Sequence, residues 1–205
     1  MLVYLAKYEK APGIRMLSPS PIPEAFTLHL KKGVGVNTIK LLAAEALLKP
    51  DWVDVLFHIL TGRTPWDRDG IRKAAWTLHH VYLLDERSLL SHRDAFTDLL
   101  DATSDLSVLR EIFKILGSPL WSDVETTAQR QELLQLGMDL MYDDSLPLGI
   151  HYLAIQLTSF RMAQKEDCVA VQEAMAHLKA TVGLESAPLR NCIDRAAMRF
   201  QKNWN

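Results

Sequence analysis

An apolar residue followed by a basic one recurs along this 205-residue chain. The pairs are Ile39-Lys40, Ile71-Arg72, Leu109-Arg110, Ile150-His151 and Leu189-Arg190. Each is followed, three and six positions after its basic member, by small or apolar residues: Ala43 and Ala46, Ala75 and Leu78, Phe113 and Leu116, Ala154 and Leu157, Ile193 and Ala196. The anchors at 39, 71, 109, 150 and 189 lie 32 to 41 residues apart. A period of roughly 40 residues gives room for two helices and their connections. One such pair cannot hide both of its apolar flanks, so neighbouring pairs must stack and share a core.

This pattern predicts an all-α fold, a right-handed α-solenoid of HEAT/armadillo-like helical pairs forming an α-α superhelix, with an irregular helical bundle as the alternative. Four pairs and a final capping helix account for the chain. Strand alternation and hairpin dipeptides are nearly absent. Residues 1–21 carry Pro12, Gly13, Pro19 and Pro21 and read as an irregular lead-in to a single repeat domain over 22–205. Met16 offers a second start within it.

In order, Glu24–Lys32 reads as a short helix ended by Gly33. Ile39, Leu42, Ala43 and Ala46 form one stripe, and Pro50-Asp51 caps a partner helix with Trp52, Leu56, Ile59 and Leu60 inward. Gly62 closes that helix, and a loop over 63–68 precedes a central helix with Ile71, Ala75, Leu78 and Tyr82 buried. Its partner runs from Ser91 to Leu100 with Phe96, Leu99 and Leu100 inward. Ser104 or Asp105 caps a helix carrying Leu109, Ile112, Phe113 and Leu116. A loop at Pro119–Asp123 leads to a helix through Tyr142 with two apolar flanks. Pro147 opens the fourth pair, with Ile150, Leu153, Ala154, Leu157 and Phe160, then Val171, Ala174, Met175 and Leu178. Pro188 opens the last helix, through Trp204.

No apolar run approaches the roughly 18 residues that span a bilayer, and no stripe is basic enough for a membrane surface. The opening residues are not a secretory signal, because charge follows the short apolar stretch. Cys168 and Cys192 lack metal-type spacing and read as reduced thiols in a cytoplasmic protein. The net charge of −2 offers no global attraction to nucleic acid. Charge is uneven, however: +4 over residues 1–50, −6 over 101–150 and +2 over 151–205. No cofactor motif stands out, since Gly33-Val-Gly35 lacks a preceding strand and no Ser-His-Asp order or CxxC is present.

Arg72-Lys-Ala-Ala-Trp-Thr-Leu-His-His-Val81 resembles the Arg-x-x-x-Trp-x-Leu-Glu-His-Val helix of small bacterial HEAT-like repeat proteins. The segment from Ile39 to Trp52 fits the preceding unit of that family. The resemblance covers residues 35–204, is strongest in the central helix, and implies an α-solenoid without implying a reaction. His79 stands where the family pattern has an acid, which puts in doubt the contact that acid would make with Arg72 or with a partner's basic group.

Arg72, Trp76, His79 and Leu83 share a stripe about 100° from the core stripe. It reads either as a recognition patch, with the Arg72 guanidinium over the Trp76 indole, or as a contact between repeats. With His80 and the loop residue Trp66 it makes the candidate partner-binding set for a protein or peptide on a concave surface. His79 and His80 point about 100° apart, so no metal site is expected from them. The chain is also similar in residue types to alkylpurine DNA glycosylases built on HEAT-like repeats, which use a buried carboxylate near tryptophans. Pro50-Asp-Trp-Val-Asp54 and Trp66-Asp67 supply those types. DNA binding and repair is therefore the alternative function, although the acidic middle of the chain opposes duplex binding. Helix capping by Asp51 and Asp67, with Trp52 in the core, is the competing explanation of those residues.

Overall fold

The computed structural model describes residues 27, 28, 30 and 35–204, and the expected lead-in over 1–21 lies outside them. Of the expected helix at 24–32, residues 27, 28 and 30 are helical. Among the described residues there are ten α-helices, two short 3-10 turns and no strand. The helices are α1 (Val36–Leu48), α2 (Pro50–Leu60), α3 (Arg68–Leu84), α4 (Arg93–Ala102), α5 (Leu106–Leu116), α6 (Pro119–Val124), α7 (Thr127–Tyr142), α8 (Leu148–Ser159), α9 (Lys165–Ala180) and α10 (Ala187–Trp204). The chain divides into two compact units between Glu111 and Ile112, inside α5.

In the first unit α1 packs on α2 and α3, and α2 also packs on α3 and α4. The stripe Ile39, Leu42, Ala43 and Ala46 is buried on α1, as its spacing predicts. Trp52, Leu56, Ile59 and Leu60 are buried on α2. The N-cap of α2 is Lys49, not the expected Pro50-Asp51: proline fills the first helical position, where its missing N–H costs nothing, and Asp51 lies in the first turn. Lys49 also lays its ammonium over the Trp52 ring, 4.1 Å from the centroid. Gly62 follows α2 with φ +70, a left-handed conformation that suits glycine at a helix end.

The central helix α3 buries more than the expected stripe. Ala75, Leu78 and Tyr82 are inward, but so are Gly70, Ala74, Thr77 and Val81, while Ile71 is only half-buried. The helix is covered on two flanks, so the inward arc is wider than one stripe. On α4, Phe96 and Leu99 are buried and Leu100 is half-buried. A 3-10 turn at Leu90–His92 stands where the spacing predicts its first turn.

In the second unit α7 packs on α8 and α9, and α10 packs on α8 and α9. Leu134, Met141, Ala154, Ile155, Val171, Met175, Leu189 and Ile193 share one core. A capping box between Thr126 and Gln129 starts α7. Gly137 lets α7 and α8 approach closely: a Cβ there would lie 2.5 Å from Thr158 Cγ2. The stretch 119–123, expected as a loop, is part of the short helix α6, and Trp121 on it is buried. Pro119 at its first position presets the helical φ, and burial of the indole holds a helix too short to persist alone. Phe160, expected inward, lies just past the end of α8 and is exposed.

Candidate functional site

The central stripe faces α5 and the residue that caps it. Asp105 Oδ1 accepts the Ser107 N–H at 2.9 Å, so of the two expected caps Asp105 is the one used. The same carboxylate accepts from Arg68 Nε at 2.8 Å and from Arg72 Nε at 3.1 Å. Burial pushes the Asp105 carboxyl upward, but the bonds from Arg68, Ser107 and Arg72, with the Arg72 charge, hold it well below the usual carboxylate range. Two turns further along α3, His79 Nδ1 lies 2.8 Å from Glu111 Oε2, and Arg110 Nε donates to Glu111 Oε1 at 3.1 Å. Glu111 on α5 thus stands opposite His79. Arg72 has Asp105 as its partner.

Trp76 and His80 follow each other on the flank of α3, ring centroids 6.0 Å apart, and both are half-buried. Trp66 is half-buried with its ring against the first turn of α3, where a Cβ on Gly70 would come within 2.6 Å of Trp66 Cε3. The five candidate partner-binding residues therefore divide. Arg72 and His79 direct their polar groups at α5 and its cap, while Trp66, Trp76 and His80 leave part of their rings at the surface.

The residues offered for glycosylase chemistry have structural employment. Asp67 Oδ1 caps α3 by accepting the Gly70 N–H at 2.7 Å. Trp52 is buried. Asp54 faces His92, Oδ1 to Nε2 at 2.9 Å. Among the described residues no group of three or more His, Cys, Asp or Glu is arranged to hold a metal ion.

A buried charged site escaped the sequence reading. Arg161 is fully buried. Its Nη1 donates to Leu157 O at 2.6 Å, and its Nη2 donates to Leu116 O at 2.7 Å and to Glu125 Oε1. One guanidinium thereby serves the C-terminal carbonyls of two helices, α5 and α8, and neutralises a carboxylate whose side chain is 2 % exposed. Burial pushes the Glu125 carboxyl up against the opposing pull of Arg161, and burial pushes the Arg161 guanidinium down. The only sequence signal was a lone arginine just beyond an apolar helix, a common surface pattern. His151 was also unexpected in the core. It is fully buried, no side chain among the described residues hydrogen-bonds its ring nitrogens, and burial lowers its pKa against the backbone of Leu140 and Leu146.

Compared with protein-family models, curated proteins and solved structures, the chain finds no match. Among the described residues no helix is long and apolar enough to cross a membrane.

Proposed function

We propose that the chain is a HEAT-like α-solenoid scaffold that binds a protein or peptide partner without catalysing a reaction on it. The observation that carries this reading is the order of packing. Within each unit the substantial contacts run from a helix to the next or the next but one. A closed bundle would instead seat its first helix on its last. Stacked pairs leave long helix flanks open to a partner. Leu41 and Leu48 on α1 and Leu83 and Leu84 on its neighbour α3 are exposed, and the half-buried rings of Trp76 and His80 lie on the same α3. Aromatic side chains such as Trp76 are enriched among the residues that anchor protein interfaces. The chemistry-bearing groups of α3, by contrast, are engaged within the fold.

The DNA-repair alternative would need its carboxylate open to an extruded base. Carboxylates offered for it are engaged within the fold: Asp67 caps α3, and Asp54 Oδ1 lies 2.9 Å from His92 Nε2. The test is capture from an extract of the native cell with the full chain as bait, wild type against the Leu41→Ser/Leu84→Ser double variant. A partner retained by the first and lost by the second is expected. Duplex binding that weakens steeply with salt, with release of alkylated purines, would replace this reading by the alternative.

A further inference from the structure

In the first unit the 3-10 turn before α4 brings three side chains into a chain of hydrogen bonds. Ser91 Oγ lies 3.1 Å from His92 Nδ1, and His92 Nε2 lies 2.9 Å from Asp54 Oδ1 on α2. A carboxylate only accepts, so Nε2 carries the imidazole proton. Nδ1 is then the free lone pair, and the Ser91 hydroxyl donates to it. The ring is also held from its face: Phe57 stacks on His92 with centroids 5.0 Å apart and planes 3° from parallel. Phe57 is buried and fixed in turn by Phe96, edge to face at 5.1 Å. Ser91 itself is exposed, so a reagent in solution can reach Oγ.

A hydroxyl bonded to a base whose orientation is set by a third group is the arrangement that activates a nucleophile. We propose that Ser91 is a stoichiometric acylation site, taking an acyl group from activated acyl donors such as reactive esters and thioesters, with His92 as general base and Asp54 and Phe57 as positioning residues. Oγ forms the bond to the acyl carbon, and the bond from that carbon to the leaving oxygen or sulfur breaks. The proton passes from Oγ to His92 Nδ1 and then to the leaving group. The product is an ester on Ser91. The modification goes beyond the scaffold reading and does not depend on it.

The probe is p-nitrophenyl acetate on the full chain, with the acetyl group located by peptide mass spectrometry. Ser104 and Ser145 are exposed as well and serve as internal references. Ser91 is expected to acetylate about 100-fold faster than either, the lower range of general-base assistance. Asp54→Asn removes the acceptor that fixes the tautomer, and it should slow Ser91 by about the same factor while circular dichroism stays unchanged. Because Asp54 is largely exposed, that variant keeps the test meaningful even if changes at His92 disturb the packing on Phe57. Acetylation of Ser91 no faster than Ser104 and Ser145, an unaltered rate in Asp54→Asn, or acetyl residing on His92 instead would each overturn the proposal.

Discussion

Arg161 is the side chain whose removal should reveal most about how the second unit is held. Arg161→Met keeps much of the volume and the apolar stem but deletes the guanidinium. Leu116 O and Leu157 O lose their donor, and Glu125 is left with a buried charge, its bonded counter-ion gone and only the charge of Arg130 still acting on it. Breaking a buried ion pair from one side costs about 3–5 kcal/mol, mostly the penalty on the stranded partner. For a chain of this length that corresponds to a fall in Tm on the order of 10 °C. The double variant Arg161→Met/Glu125→Leu removes the stranded charge, leaving two carbonyls uncapped at a cost of about 2 kcal/mol. The double should therefore be more stable than the single, with a coupling of at least about 2 kcal/mol. Urea melts followed by far-UV circular dichroism, with midpoint and slope both fitted, measure this. A single variant within about 1 kcal/mol of wild type, or a double variant worse than the sum of its singles, would refute the assignment.

His151 gives a pH dependence. Its folded pKa is lowered by burial, so its contribution is complete above the unfolded value of about 6.5 and is lost as pH falls below it toward the folded value. His151→Gln should flatten stability between pH 7 and 5, and an unchanged slope would remove the role. Gly137→Ala should destabilise by about 1–2 kcal/mol: helix propensity favours alanine by about 1 kcal/mol, but the clash with the fully buried Thr158 costs more. A thermal melt at or above wild type would show that the two helices can part cheaply. Asp105→Ala should cost about 1–2 kcal/mol at neutral pH through the lost cap, with Arg68 adding little because it is exposed. Because the folded pKa of Asp105 is depressed, its contribution is present above about 3.9 and disappears as pH falls further, so acid titration of wild type and variant should converge.

The sequence alone determined the helical class and most of the inward positions. Apolar spacing near 3.6 residues marks a buried stripe whatever packs against it, which is why Ile39, Leu42, Ala43 and Ala46, or Val171, Ala174, Met175 and Leu178, were legible before any coordinates. Local backbone chemistry placed Asp67 as a cap and Gly62 as a helix end, since both depend on a few neighbouring residues. The tertiary structure decided what lies between elements distant in sequence. The partners of Arg72 and His79, the burial of Arg161 with Glu125, the helix at Trp121 and the approach of Ser91, His92 and Asp54 all join segments whose meeting no periodicity encodes. A charged residue carries the same letter whether it is solvated or enclosed. Only the position of the facing helix fixes its energy.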